Sequence, residues 1–491
     1  MKLSAVLCLL ASAVSASALN VVFILADDLG IGELGCYGQQ KIRTPNIDQL
    51  AREGTRFTQH YTGTPVCAPA RCTLLTGKHT GHSEIRGNRQ ASVSFPEFKE
   101  GQHPISAGAL TIATTFKQAG YATGAIGKWG LGPVGSTGDP NQHGFDLFFG
   151  YNCQAVAHSY YPRFLWRNAQ QIEINPKPIA GHAPVVTGEV TMAPYLGQNY
   201  APTLMVAEAE KFIAANSKKP FFLYLAFTEP HVAMHPPQAS VDEYPKEWDP
   251  EPYRGEAGYL PHPRPRAAYA AMISDLDRHV GAVRKALDQA GVLDETLIIF
   301  TSDNGATHEG SGKSHFHIGG ADPEFFNSTT GLRGFKGSLF EGGIRSPLIV
   351  RLPGKVKASH VNDTPGFFPD WFPTLCAAAG LNTPIGLDGT NLWPNITADT
   401  AIARTTPMLW VFPEYGGQVA VRIGDFKIIR QGLQTPKKTG PWQVFDLKHD
   451  PSEKTDLAAD QPALIAQAIA VLKREVAPNP IFQMPIPGVT E

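Results

Sequence analysis

The chain has 491 residues, 42% of them hydrophobic and 18% charged, which supplies apolar material for a large core and about two domains and excludes a disordered chain. A formal net charge of −2 provides none of the general phosphate attraction on which a nucleic-acid binder depends, so no nucleic-acid partner is expected. Any anionic ligand must be held by a local cluster of cations.

In chain order, MKLSAVLCLLASAVSASALN has a lysine, a short apolar run and then Ala16, Ser17 and Ala18. This is the layout of a signal peptide over about residues 1–18, and it predicts a secreted or periplasmic protein. No later stretch reaches the roughly 20 apolar residues of a membrane span. LNVVFILADDLG reads as a buried strand that stops at Asp27 and Asp28, and YATGAIGKWG, PFFLYLAFTEPH and ETLIIFTSDNG repeat the pattern. Helical stretches such as ALTIATTFKQAG and AAYAAMISDLDRHVGAVRKALDQAG lie between them. The alternation predicts an α/β fold, a large, mostly parallel sheet sandwiched by helices, with ligands beyond the C-terminal ends of the strands. Pro/Gly-rich stretches at 86–108, 168–202 and 231–265 read as ordered surface insertions able to shape a pocket. Beyond Gly386 the texture changes. VAVRIGDFKIIR and WQVFDLKHDPSEKTDL predict antiparallel strands and PALIAQAIAVLKREV a last helix, so a catalytic unit over 19–399 is followed by a smaller α+β domain over 400–491. Asn327 and Asn395 match the glycosylation acceptor pattern.

Asp27, Asp28, Asp303 and Asn304 all follow apolar strands. Singly, such residues are ordinary turn formers. Jointly, at one rim of a sheet, three carboxylates and an amide oxygen suit Ca²⁺ or Mg²⁺, and no His/Cys ligand spacing accompanies these four to point to zinc there. Six cysteines fall to five once Cys8 leaves with the signal, an odd number for an oxidising compartment. In TPVCAPARCTLLTG, Cys67 could pair with Cys72 or Cys36, fill a core, or react. An apolar helix starts near TLLTG, Pro69 suits its first turn, and Arg71 shares a face with Cys67 four residues earlier.

With ADDLG, the C-x-P-x-R signature of CAPARCTLLTG, GKWGLG, TEPH, SDNG and GFKGSLFEGGIRSP in this order, the chain from Asn20 to about Leu457 resembles the type I sulfatases of the alkaline phosphatase superfamily. The resemblance implies a large mixed sheet of the alkaline phosphatase type and a sulfuric ester hydrolase. It implies that a maturation enzyme oxidises Cys67 to Cα-formylglycine, and that Asp27, Asp28, Asp303, Asn304 and the modified Cys67 hold Ca²⁺, with Mg²⁺ the other option. One hydroxyl of the hydrated aldehyde attacks sulfur, and the second loses its proton to expel sulfate, an exit that serine lacks. By motif position, Arg71 activates the formylglycine, Lys128 and Lys336 bind sulfate oxygens, and His231 protonates the leaving alcohol. His158 and His235 are further substrate-binding candidates. The family commonly reads G-K-W-H-L-G where this chain has Gly130, so the histidine's role falls to another group such as His158, to water, or is lost. The aromatic, basic stretch HSYYPRFLWRN suggests a sulfated carbohydrate as substrate. The competing readings are a phosphatase or phosphonate monoester hydrolase of the same superfamily and a catalytically impaired glycan-binding homologue.

Overall fold

Strand β1 (Asn20–Ala26), NVVFILA, is buried along its whole length, which a strand achieves only when both faces of its sheet are covered. Its side chains alternate between two cores. Val22, Ile24 and Ala26 join one with residues of helices α1 (Pro45–Glu53), α4 (Ala201–Asn216) and α5 (Pro265–Gln289). Val21, Phe23 and Leu25 join the other with residues of α2 (Cys67–Thr76), α3 (Ile112–Gln118) and α6 (Trp371–Ala378). Phe23 meets Trp371 edge-on at 5.5 Å between ring centroids, a geometry that contributes about 0.5–1.5 kcal/mol beyond area burial.

The computed structural model describes residues 19–307, 316–435 and 439–490; the expected signal segment, 1–18, lies outside the described residues. The large sheet contains β1, β2 (Thr55–Tyr61), β3 (Ala122–Lys128), β4 (Leu147–Tyr151), β5 (Phe164–Arg167), β6 (Gln170–Glu173), β7 (Phe221–Ala226), β8 (Thr296–Ser302), β9 (Arg345–Arg351), β10 (His360–Asn362) and β11 (Gly366–Phe367). Its order is β10-β2-β9-β8-β1-β7-β3-β4-β5-β6, with β11 also paired to β2. The centre, β8-β1-β7-β3-β4, is parallel. Antiparallel pairing enters at β9 and β5, so the sheet is mixed and mostly parallel.

A second, antiparallel sheet contains β12 (Met408–Phe412), β13 (Gln418–Ile423), β14 (Phe426–Gln431) and β15 (Gln443–Asp446) in sequential order. Helix α7 (Pro462–Glu475) packs Ala468 and Leu472 on one face of it. Trp410, Phe412, Ala420, Ile429 and Phe445 pack from the other face on Tyr61, Val66, Leu339 and Phe340. The predicted final helix and antiparallel strands are therefore present. They share a core with the segments that flank Cys67 and Lys336.

Two expectations are corrected here. Tyr160 and Tyr161 of HSYYPRFLWRN are buried, with Leu165, in the main core, and Trp166 donates its indole N–H to Glu100 at 2.8 Å. That stretch presents no run of free aromatic faces for a sugar. Cys67 and Cys72 both lie on α2, and Cys36, Cys67, Cys72, Cys153 and Cys376 are free thiols. Five helical residues separate Cα atoms by more than the roughly 7 Å a disulfide spans.

Candidate active site

Because β1, β3, β7 and β8 run parallel, their C-terminal ends open on one rim. β1 delivers Asp27 and Asp28, β8 delivers Asp303 and Asn304, β3 ends in Lys128, and the turn after β7 carries His231. The strand ends are tied together by backbone bonds: Asp27 N–H donates to the Glu229 carbonyl at 3.0 Å and Asp303 N–H to that of Ala26 at 3.1 Å. Asp28 holds a left-handed conformation, φ 66°, with its N–H on Asp303 Oδ1 at 3.2 Å.

Helix α2 starts at Cys67, which puts Pro69 in its first turn as expected and begins the helix ahead of the apolar TLLTG. Val66 before it is extended and offers no side-chain cap; instead the Ala68 N–H donates to Asn88 Oδ1 at 3.0 Å. The helix ends at Gly77 in the left-handed conformation, whose N–H reaches the Thr73 carbonyl. Cys67 is therefore presented at a helix N-terminus, where free N–H groups and the dipole favour negative charge.

Around Cys67 Sγ stand Asp27 Oδ1 at 3.4 Å, Lys336 Nζ at 3.4 Å and Lys128 Nζ at 3.6 Å. Lys128 also contacts Asp27 Oδ2 directly. Arg71 reaches past the cysteine to Asp303 Oδ2, 2.7 Å from Nη2 and 3.1 Å from Nε, and donates from Nη1 to the Lys128 carbonyl at 2.6 Å. Lys336 bridges both oxygens of Asp28 at 2.7 and 2.9 Å. Its loop is pinned by Lys336 N–H on the Ala306 carbonyl and Gly337 N–H on that of Pro65, each at 2.9 Å. His231 Nε2 lies 3.6 Å from Asp28 Oδ2, and Nδ1 faces the Val232 carbonyl.

Three buried carboxylates thus face three buried cations. Burial would raise Asp27, yet Lys128 foremost, then His231, Arg71 and Lys336, holds it well below the ordinary carboxylate range. Asp303 moves the other way, up to about 6, through burial and the negative Asp27 beside it, against the pull of Arg71. Burial, then Lys336 and Lys128, pushes His231 well below the usual imidazole range. The Cys67 thiol is pushed up by burial and by Asp27.

The donor set fits a hard cation. Asp27, Asp28, Asp303 and Asn304 are all buried. Asn304 spends its Nδ2 on Asp28 Oδ1 at 2.8 Å and on the Gly305 carbonyl at 2.9 Å. Its Oδ1 has no hydrogen-bond partner, and a buried acceptor left open beside carboxylates suits a Ca²⁺- or Mg²⁺-type ion.

His158 stacks on His231, rings 4.8 Å apart and 13° from parallel, and its Nδ1 meets His182 Nε2 at 3.1 Å. His182 in turn stacks on Tyr259 at 4.3 Å. Two insertions, 168–202 and 231–265, therefore add an aromatic panel beside His231 that no periodicity in the sequence signals. His235 does not join it. Fully buried, it lies edge-on to Tyr160 and Tyr161. Tyr160, expected only as an aromatic face of HSYYPRFLWRN, instead donates its hydroxyl toward the Thr228 and His231 carbonyls, both at 2.7 Å, and fixes the His231 turn. Gly130 has φ 85°, and a Cβ there would fall 1.7 Å from Gln154 Nε2. Gln154 occupies the space a side chain at 130 would need.

The sulfatase family model matches residues 19–381, and a model described as N-sulphoglucosamine sulphohydrolase, C-terminal, matches 335–478. Arylsulfatase A of Bos taurus is 31% identical over 496 residues, covering 95% of this chain and 89% of that protein. Steryl-sulfatase of Mus musculus is 32% identical over 435 residues, covering 77% of this chain and 65% of its own length. N-acetylgalactosamine-6-O-sulfatase of Bacteroides thetaiotaomicron is 27% identical, with 92% of each chain covered. Among solved structures, Ps i-CgsB in complex with k-i-k-neocarrahexaose superposes with a TM-score of 0.74 at 26% identity, with 94% of each chain covered.

Proposed function

We propose, from the premise that this chain belongs to the sulfatase family and hydrolyses sulfate esters, that its substrate is a sulfated carbohydrate and that a formylglycine made from Cys67 is its nucleophile. The observation that carries the reading is the meeting of Cys67 Sγ with Lys128 Nζ, Lys336 Nζ and Asp27 within 3.6 Å. Two cations and an acidic cluster around one small side chain match a tetrahedral anion presented to a nucleophile. The carbohydrate is favoured by the bound neocarrahexaose of Ps i-CgsB and by the N-acetylgalactosamine-6-O-sulfatase relative.

The residues divide the work as follows. Lys128 and Lys336 hold two sulfate oxygens and fix the sulfur in front of residue 67. Arg71 holds Asp303 and the Lys128 carbonyl, keeping the acidic cluster and the first cation in register. After conversion, the hydrated aldehyde at 67 supplies one hydroxyl as nucleophile and a second whose deprotonation releases sulfate. A Ca²⁺ ion held by Asp27, Asp28, Asp303 and Asn304 would polarise the attacking oxygen. His231 keeps Nδ1 on the Val232 carbonyl and leaves Nε2 to carry the proton. An arriving sulfate offsets the charge of Lys336 and Lys128, so the proton becomes easier to hold where the leaving alcohol needs it. His158, stacked on His231, and the panel of His182 and Tyr259 would line the sugar side.

An export signal at 1–18, a maturation enzyme acting on Cys67, and a division of the chain near residue 400 belong to the same proposal. No helix among the described residues is long and apolar enough to cross a membrane. The test is a panel of defined sulfated oligosaccharides scored for free sulfate and for the position lost, beside 4-nitrophenyl sulfate and phosphate. Sulfate release from a sugar supports the reading. Faster turnover of the phosphate, or glycan binding without release that Cys67→Ala leaves unchanged, overturns it.

A further inference from the structure

At the far end of α2 a second cluster stands apart from the acidic rim. The helix has ten residues, about 15 Å at 1.5 Å per residue, with Cys67 at one end and the turn 77–83 at the other. There the His82 and Ser83 N–H groups bond back to the His79 carbonyl at 2.9 and 2.8 Å, and the turn stacks the His79 and His82 rings 4.6 Å apart at 23°. Both Nδ1 atoms face Asp388: His82 Nδ1 is 3.1 Å from each carboxylate oxygen and His79 Nδ1 is 3.7 Å from Oδ2. Asp388 is itself fixed, accepting the His79 N–H at 3.0 Å and donating its own N–H to the Gly77 carbonyl at 2.9 Å. One ligand atom from each of the three residues lies within 4.8 Å of the others.

From this arrangement we propose a second metal site, formed by His79, His82 and Asp388, that takes a Zn²⁺-type transition metal ion. Two bonds of about 2.0–2.1 Å at a tetrahedral angle place ligand atoms about 3.3 Å apart, and the separations of 3.1 and 3.7 Å bracket that value. Two imidazoles and one carboxylate select such an ion over Ca²⁺, which takes oxygen ligands. Nδ1 of His79 accepts the Gly81 N–H at 3.2 Å, which puts the ring proton on Nε2; the ion would displace that N–H from the Nδ1 lone pair. That buried Nε2 has no hydrogen-bond partner. Glu475, at the end of α7, stands beyond it, its Oε2 at 3.7 Å from His79 Nε2 and 3.9 Å from His82 Nε2. This is where an outer carboxylate orients metal-bound imidazoles. Lys78, 3.7 Å from Asp388 Oδ1, is the competing cation; it is partly exposed and has the Gly386 carbonyl as another partner. The ion would join the end of α2, the loop carrying Asp388 and, through Glu475, the C-terminal helix.

The test uses the full chain, stripped with a chelator, reloaded with Ca²⁺ and titrated with ZnCl₂ by calorimetry, with Co²⁺ absorption as the spectroscopic probe. One equivalent of Zn²⁺, a tetrahedral Co²⁺ spectrum and a zinc-dependent rise in Tm are expected. His82→Ala, at a partly exposed position, and Asp388→Asn, which keeps an acceptor for the His79 N–H, should each weaken Zn²⁺ at least tenfold and lose the Tm rise. Glu475→Gln should weaken it about 10- to 100-fold, and Asp28→Asn should retain it. Absence of saturable Zn²⁺ binding, binding unchanged in both His82→Ala and Asp388→Asn, or binding abolished by Asp28→Asn overturns the proposal.

Discussion

Cys67 is 2% exposed, with Asp27 raising the cost of its thiolate, so as a thiol it is a poor nucleophile. Its position between two lysines makes chemical sense for an oxygen nucleophile that binds the same anion. Cys67→Ser should therefore accept one sulfate and keep it: intact-mass spectrometry after incubation with substrate is expected to show a stable adduct, with turnover stopped. His231→Gln should lower kcat by about 10²- to 10⁴-fold for sugar sulfates, whose alkoxide must be protonated. With 4-nitrophenyl sulfate, whose leaving group needs little help, the loss should be under about tenfold. Equal losses on both substrates would assign His231 a structural role instead. Asp27, Asp28, Asp303 and Asn304 were legible because each follows an apolar strand, whereas Cys67, Lys128, Lys336 and His231 were carried by the family's motifs. Tyr160 and Gln154 were not, because one acts through its hydroxyl on carbonyls 68 and 71 residues away and the other through the volume it denies to Gly130.

At the scale of elements, the short turn after β1 ties the acidic rim to α5. Glu33, fully buried, accepts the Gly30 N–H at 2.7 Å and the Tyr269 hydroxyl at 2.9 Å. Burial lifts it from 4.5 to about 7, more than the hydrogen bonds from Ser328, Gly30 and Tyr269 restore. A folded-state pKa above the unfolded one means a contribution fully present below about pH 4.5 and lost as pH rises through about 7. The size is on the order of 3 kcal/mol for a shift of this extent. In Glu33→Gln this dependence should vanish, so the variant's Tm should gain on the wild type between pH 5 and pH 8. A constant difference across that window would show that Glu33 stays charged. The strands and long helices were legible from apolar runs and their polar ends. The start of α2 was not, since Cys67 and Ala68 carry no capping side chain and the partner of the Ala68 N–H is Asn88, in a different segment.

Over the whole molecule, the antiparallel sheet acts as a buttress for the loop that carries Lys336. Gln418 on β13 donates to the Gly337 carbonyl at 2.7 Å and accepts the Leu339 N–H at 3.0 Å, on either side of the residues that follow Lys336. Lys427 on β14, with no exposed side-chain surface, lies 2.9 Å from Glu341 and 2.6 Å from Glu453. Lys427→Met leaves those carboxylates without their common cation, and a loss of about 3–5 kcal/mol is expected in denaturant unfolding, with KM for sulfate esters rising as Lys336 loosens. An unchanged midpoint would make the two sheets independent. Sequence texture located the second unit, but its long-range bonds to the Lys336 loop lie between residues about 80 apart and leave no local pattern. The near-complete enclosure of Cys67 also imposes an order of events in time. On the proposed conversion, an enzyme acting on this side chain would have to reach it while the chain is still open, so molecules that closed first would be stranded without an aldehyde, and the working fraction of a preparation would be decided during synthesis and not afterwards.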